Sequence, residues 1–250
     1  MMRFNTCNYS VVIDLQSAEF CLHQNQIVAL ERALARIGSA DPAFADICTL
    51  KNGVLRYESI TLLPPVPKAR KQKVMLVLGN PSISSVTSGM IFYARRDGGR
   101  HGFWTKLARA HLMTSVADDN RRRESDNRRM RLLDDDVSPH YSLGITTFYS
   151  FPTPGSDDQP YCGSVGVEKI FEPVLKQIRL LEIRRLLCHP FIDGSILIFT
   201  RKSLLKHFYK TTGIKPAHWP IRGEDSSGEE LARIVSESKK VKTAATPLLF

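Results

Sequence analysis

The sequence predicts an α/β layered fold, and two observations carry that prediction. Residues 74–78 read Val74-Met75-Leu76-Val77-Leu78, a run apolar at every position, as expected of a strand buried on both faces of a parallel sheet. Runs of this kind then alternate with segments whose apolar residues recur at helical spacing, the pattern of a sheet layered with helices.

The elements follow in order. Residues 17–37 set Phe20, Ile27, Leu30, Leu34 and Ile37 at helical spacing, and Gly38 ends the pattern. Residues 53–62 carry Val54, Tyr57, Ile60 and Leu62, a strand whose register stays open. Pro64-Pro65-Val66-Pro67 interrupts regular structure and leads into a basic stretch, residues 68–73. That is the predicted domain boundary: an extension of helix and strand over 1–67, and an α/β domain over 68–250. The buried strand 74–78 ends in Gly79-Asn80-Pro81-Ser82. Residues 103–113 form a helix with Trp104, Leu107, His111 and Leu112 on one side, and 117–131 form a charged, arginine-rich segment. Residues 142–151 are a second strand with Ile145, Thr146 and Thr147 at its centre. Residues 165–187 read as one long helix with Ile170, Val174, Leu175, Ile178 and Leu181. Gly194-Ser195 precedes a third buried strand, 196–199; 203–209 is helical, and a last helix, 226–238, follows Gly223-Glu224-Asp225. The chain has no internal repeat.

The composition, 42% hydrophobic and 24% charged over 250 residues, is that of a globular chain long enough for a sizeable core. No stretch approaches the roughly 18–20 apolar residues of a membrane span. Residues 1–15 place only Arg3 ahead of a short apolar patch broken by Asp14, so no secretory signal is expected. The five cysteines (Cys7, Cys21, Cys48, Cys162, Cys188) are odd in number, scattered, and never spaced as C-x-x-C. They predict buried thiols in a reduced, intracellular protein rather than a disulfide framework or a zinc site, and Cys188-His189 alone is poor ligand geometry.

The net charge is +10, and it is local. Residues 68–131 hold 15 basic against 5 acidic residues, while 1–67 hold 5 and 6, and 132–250 hold 15 and 14. A polyanion partner is expected, and nucleic acid is the commonest polyanion. Within this segment, Arg121, Arg122, Arg123, Arg128 and Arg129 read either as a solvated arm partly neutralised by Asp118, Asp119, Glu124 and Asp126, or as a phosphate-binding arm. Arg95, Arg96 and Arg100 then join the same DNA-binding surface.

In open α/β sheets ligands bind beyond the carboxyl ends of the strands, the place occupied by Gly79-Asn80-Pro81-Ser82. Asn80 does not titrate and is no general base, but its carbonyl can orient a water and its amide can donate. Pro81 fixes the turn, and Ser82, Ser84 and Ser85 add hydroxyls; a plain Asn-Pro turn is the simpler reading of these letters.

The wider context adds a resemblance. Gly79-Asn80-Pro81-Ser82-Ile83-Ser84-Ser85, then Ser88-Gly89-Met90-Ile91-Phe92-Tyr93, then Gly102-Phe103-Trp104, resembles the first motif of the uracil-DNA glycosylase superfamily, closest to its mismatch-specific uracil/thymine branch. Leu143-Gly144-Ile145-Thr146-Thr147 is similar to that family's second strand, and Ile196-Leu197-Ile198-Phe199 with Thr200-Arg201-Lys202-Ser203-Leu204 to its third strand and the helix after it. The likeness spans roughly residues 74–240. It implies a three-layer α/β/α sandwich around a central, mainly parallel four-stranded sheet. It implies a monofunctional DNA N-glycosylase that flips a damaged or mismatched base (uracil, hypoxanthine or mismatched thymine) out of the stack, acting as a monomer on duplex or single-stranded DNA without cofactor or metal. Asn80 would position the attacking water; Gly79, Pro81 and Ser82 would line the base; Phe92, or Tyr93 if the register slips by one, would stack on it. Phe92 equally suits core packing, which is the role expected of Phe103 and Trp104.

The sequence also departs from the family. Ser82 stands where a glycine is usual, and the second motif, His-Pro-Ser or Asn-Pro-Ser-Gly, is not present in clean form. By position Pro216-Ala217-His218-Trp219-Pro220-Ile221-Arg222-Gly223 fills that role, so His218 could meet the base or a phosphate and Arg222 could wedge into the stack, or His218 is an ordinary loop histidine. A catalytically degenerate nucleic-acid-binding protein of the same fold is therefore the second reading. A nuclease using Asp134-Asp135-Asp136 as metal ligands ranks last, because no Glu-x-Lys follows at useful spacing.

Overall fold

The computed structural model describes residues 8–65, 67–68, 70–93, 101–115, 120–155, 159–222 and 226–241, with Arg121 described by its backbone alone. Arg95, Arg96 and Arg100 and the turn Gly223-Glu224-Asp225 lie outside the described residues. In chain order the strands are β1 (Asn8–Asp14), β2 (Cys48–Lys51), β3 (Val54–Ile60), β4 (Gln72–Leu78), β5 (Tyr141–Thr147), β6 (Ile196–Phe199) and β7 (Ala217–His218). The helices are α1 (Gln24–Ala40), α2 (Phe44–Ile47), α3 (Ile83–Ser88), α4 (Gly102–Arg109), α5 (Arg121–Leu133), α6 (Gly163–Ile170), α7 (Leu175–Leu187), α8 (Lys202–Thr212) and α9 (Gly228–Glu237).

The chain is an α/β protein with a four-stranded, all-parallel central sheet flanked by helices, as a three-layer α/β/α sandwich requires. Its strands run in the order β5-β4-β6-β7. Val74, Met75, Leu76 and Val77 pair in parallel with Ile196, Leu197, Ile198 and Phe199, and every side chain in both runs is buried. The edge of β5 is covered: Leu62 and Ile145 exchange N–H···O bonds of 2.8 and 3.0 Å. Gly144 matters here, because a Cβ at that position would lie 2.5 Å from Leu63 and 2.8 Å from Phe191.

Two compact units divide the residues differently from the sequence boundary at 64–67. One holds 1–61, 79–91 and 147–184; the other holds 62–78, 92–146 and 185–250. The boundary falls close to the first passage from one unit to the other, but residues 1–61 do not stand apart. They share their unit with the segments that follow β4 and β5.

In the first unit a three-stranded antiparallel sheet, β1-β3-β2, buries Tyr9, Val11 and Ile13 on one face of β1 and exposes Ser10, Val12 and Asp14 on the other. The β2–β3 hairpin turns at Asn52-Gly53 with φ of 51° and 74°, as a two-residue primed turn demands. The single helix expected over 165–187 is two helices separated by a 3-10 turn, Glu172–Val174, because Pro173 has no N–H to continue the ladder.

In the second unit α4 and α9 pack closely: a Cβ on Gly228 would lie 2.5 Å from Arg109 Cβ and 2.6 Å from the Lys106 carbonyl. The arginine-rich segment is helix α5, capped by the Asn120 side chain, which accepts from Arg123 N. No described helix is long and apolar enough to cross a membrane.

Candidate functional site

In the parallel sheet the strand order reverses between β4 and β6, and it is at such a switch point, outside the carboxyl ends, that open α/β sheets bind ligands. The chain leaves β4 directly into Gly79 and Asn80. Asn80 is half-buried. Its Nδ2 donates to Thr153 Oγ1 at 2.8 Å and to the Pro81 carbonyl at 3.0 Å, with the Phe151 carbonyl 3.4 Å away. A carboxamide has two N–H donors and one carbonyl acceptor, so these contacts use both donors and leave Oδ1 to accept.

The surroundings of Asn80 hold it in that pose. Tyr149 N donates to the Gly79 carbonyl (2.9 Å), Thr153 N to the Pro81 carbonyl (3.1 Å) and Ile83 N to the Thr153 carbonyl (3.0 Å), so the segments after β4 and β5 run laced together. Thr153 Oγ1 also accepts from Gly163 N, at the start of α6. Ser82, expected against a base, has its hydroxyl engaged as the N-cap of α3: it accepts from Ser85 N and bonds the Ser84 and Ser85 hydroxyls at 3.0 and 2.8 Å. Pro81 is buried and fixes the turn.

A second group of candidate residues lies in the other unit. Phe92 has φ 53°, a left-handed conformation unusual for an aromatic residue, and its carbonyl accepts from Trp104 Nε1 at 2.9 Å. Its half-buried ring stacks on His101 (centroids 4.3 Å apart, 23° between planes) and leans on Phe103 at 4.6 Å. Phe103 and Trp104 are core residues, 1% and 5% exposed, as expected. Tyr93 is half-buried beside Phe92 in the chain. His218 is the last residue of β7, paired in parallel register with Phe199. Burial, and then the Lys202 charge at the start of α8, lower the pKa of its imidazole from the ordinary histidine value. Arg222 is exposed.

The arginines of α5 separate by helical face. Arg122 and Arg123 are exposed. Arg129 is partly exposed and pairs with Asp126 at 3.2 Å. Arg128 is not a free phosphate contact, which corrects its place in the expected DNA-binding surface. It is 5% exposed, pairs with the buried Glu124 at 2.5 Å, and lies 4.6 Å over the Trp104 ring. Residues 124, 125, 128 and 132 recur at helical spacing, so this arginine sits on the face the helix buries.

The three aspartates after α5 do not converge. Asp135 is buried and accepts from Lys68 N at 2.7 Å and Ser142 Oγ at 2.6 Å, with Lys71 Nζ 3.7 Å away, whereas Asp134 and Asp136 are exposed. Among the described residues no group of three or more His, Cys, Asp or Glu side chains could hold a metal. The buried thiols expected are not found among the described cysteines: Cys21 and Cys188 are exposed and Cys48 and Cys162 half-buried. Beside Cys188, His189 Nδ1 accepts from Phe191 N, and burial, then the Arg185 charge, push its pKa down to about 4.

The residues that sequence reasoning missed are those brought in from afar. Thr153, 73 positions from Asn80, carries no letter pattern of its own, and Glu182, whose carboxylate accepts from Ser150 N, is one of several charged residues in α7. These fold and site features define an α/β protein with a polar, carboxamide-centred turn at the switch point of a parallel sheet. Neither a protein-family model nor a curated protein sequence matches the chain.

Proposed function

We propose that the protein is a DNA N-glycosylase-like hydrolase that releases a damaged or mismatched base. The observation that carries this reading is the Asn80 carboxamide, whose two N–H groups are committed to Thr153 and Pro81 and whose Oδ1 remains as an acceptor. Such an oxygen accepts one proton of a water and aims its lone pair. In the reaction the C1′–N bond breaks toward an oxocarbenium-like sugar, the base leaves as an anion, and the water oxygen bonds C1′ while its proton passes to solvent. No carboxylate follows β4, so the enzyme relies on a positioned water and on backbone N–H donors to the departing base rather than on strong general-base catalysis. Extruding the base costs a few kcal/mol, less for a damaged or mispaired one, and this is a source of selectivity. The exposed Arg122 and Arg123 contribute a positive surface for phosphates. The reading brings with it a monomeric, intracellular enzyme.

The test is a base-release assay on oligonucleotides carrying uracil, hypoxanthine, xanthine or mismatched thymine. Wild type is expected to release at least one of them, and Asn80→Ala to lower the rate by on the order of 100-fold, the loss seen when one positioned catalytic hydrogen bond is removed. Full activity in Asn80→Ala overturns the assignment. The second reading, a nucleic-acid-binding protein of this fold that does not cleave, is favoured by Phe92: His101 already occupies a stacking position on its ring. Tight binding to the same oligonucleotides with no release from any of them would decide for it.

A further inference from the structure

We propose that the amino-terminal three-stranded sheet is a positioning element for Asn80, acting through a buried hydrogen-bond chain from Tyr57 and Ser59 to Ser150 and Glu182; the catalytic sense of this rests on the reading of Asn80 above. Residues 8–60 supply three strands whose central one, β3, carries Tyr57 and Ser59, 3% and 0% exposed. Ser59 Oγ donates to the Ser150 carbonyl at 2.6 Å, and the Tyr57 hydroxyl lies 2.7 Å from Ser150 Oγ. Ser150 N and Oγ both donate to Glu182 Oε1, a carboxylate 1% exposed on α7.

The proton count fixes the direction of the chain. Ser150 has one hydroxyl proton, and it goes to Glu182, so Tyr57 must be the donor to Ser150 Oγ. Three side chains, two from β3 and one from α7, therefore hold Ser150 by four hydrogen bonds at its N–H, its carbonyl and its hydroxyl. Ser150 is one residue from Phe151 and three from Thr153, whose carbonyl and hydroxyl face Asn80 Nδ2. The Tyr57 ring also packs edge-on against Phe151 at 5.0 Å. Asn8 ties the same sheet to the other side of the site turn, Nδ2 donating to the Val86 carbonyl of α3 at 3.0 Å. A buried polar chain of this kind rigidifies what it holds only when every member is satisfied. Tyr57, Ser59 and Glu182 touch no reacting atom; they are positioning residues.

The experiment uses the full chain, labelled with nitrogen-15. The Asn80 Nδ2 signals are assigned by their loss in Asn80→Ala, and their exchange with solvent is measured in Tyr57→Phe, Ser59→Ala, Glu182→Ala and Glu182→Gln. Removing one buried hydrogen bond from the chain is expected to speed that exchange about tenfold in Tyr57→Phe and Ser59→Ala. Glu182→Gln, which keeps an acceptor oxygen, should recover most of the protection that Glu182→Ala loses. Tyr209→Phe, at an exposed tyrosine, should leave it unchanged. In base release the Tyr57 and Ser59 variants should lose kcat by about 5- to 10-fold with KM unchanged. Asn80 Nδ2 exchange at the wild-type rate in folded Tyr57→Phe and Ser59→Ala overturns the proposal, and either variant decides it if the other fails to fold. Wild type that releases no base while its Asn80 exchange still follows Tyr57 removes the glycosylase reading and keeps the positioning; active wild type with uncoupled exchange removes the positioning alone.

Discussion

Helix α5 carries arginines of two kinds, and replacing them separately tells structure from binding. In Arg128→Met the guanidinium that lies 2.5 Å from Glu124 and 4.6 Å over Trp104 is lost, while the apolar stem is kept. The side chains of the pair are 6% and 4% exposed, so Glu124 loses this ion pair in a place water barely reaches. Breaking a buried pair from one side costs about 3–5 kcal/mol, of which the cation–π contact accounts for ~1. With a urea slope of about 3 kcal/mol/M, a loss of ~4 kcal/mol lowers the unfolding midpoint by roughly 1.3 M. Replacing both partners, Glu124→Leu with Arg128→Met, should restore most of the loss, because no buried charge is then left alone. Arg122→Ala and Arg123→Ala should each change stability by less than about 0.5 kcal/mol. Together they should weaken DNA binding and reduce its salt slope by about 2, one unit for each phosphate contact. The measurements are urea titrations followed by tryptophan fluorescence, and DNA titrations at several salt concentrations. An Arg128→Met protein as stable as wild type but deficient in DNA binding would refute the reasoning and return Arg128 to the phosphate-facing set.

Two further outcomes follow from particular contacts. Gly228→Ala sets a methyl group 2.5 Å from Arg109 Cβ and 2.6 Å from the Lys106 carbonyl, so α4 and α9 must part; a loss of about 2 kcal/mol in urea unfolding is expected, and an unchanged midpoint would contradict the close packing. His189 titrates at about 4 in the folded protein, below its unfolded value near 6.5. Between those values the unfolded chain binds more protons, so stability is full above pH ~6.5 and falls as pH drops toward 4. After discounting for partial exposure this is a loss of about 2 kcal/mol, and His189→Asn should flatten that part of the stability–pH curve, measured by urea midpoints at several pH values.

The parallel sheet was legible because its strands are apolar on both faces: 74–78 and 196–199 contain nothing but buried side chains, and they are the observed β4 and β6 to within two residues. The antiparallel sheet was half-read. Asn52-Gly53 is a hairpin turn in two letters, and the alternation Tyr9, Val11, Ile13 was present in the sequence, yet β2 has only 4 residues and β1 finds its partner in β3 far along the chain, Asn8 opposite Ile60. Pro173 was visible inside the long helix expected over 165–187 and does break it. At the site, Asn80 could be singled out because a strand end and an Asn-Pro turn are local. Thr153 and Glu182 could not, since their roles arise from contacts across 73 and 32 positions. Arg128 misled for the opposite reason: in letters it is one arginine among six in the helix, and only helical phase puts it on the buried side with Glu124.

That phase also changes what the charge excess means. Residues 68–131 carry 15 basic and 5 acidic residues, but several of the cations are answered locally. Lys71 meets the buried Asp135, and Lys68 and Arg131 meet Asp136, carboxylates that lie just beyond the segment's end. Arg128 and Arg129 meet Glu124 and Asp126, and Lys106 donates to the Ile221 carbonyl and Ser226 Oγ. A paired cation adds little field beyond a Debye length of ~8–10 Å, so an approaching phosphate does not sense the sum of ten charges. It senses the exposed cations, which among the described residues of 68–131 include Arg70 and Arg109 and, in the first turn of α5, Arg122 and Arg123. There a positive side chain opposes the helix dipole, so these two do not serve the helix's own stability. The case for a nucleic-acid partner therefore rests on where these arginines sit rather than on the net charge, and a salt slope that survives their removal would move the phosphate contacts elsewhere on the protein.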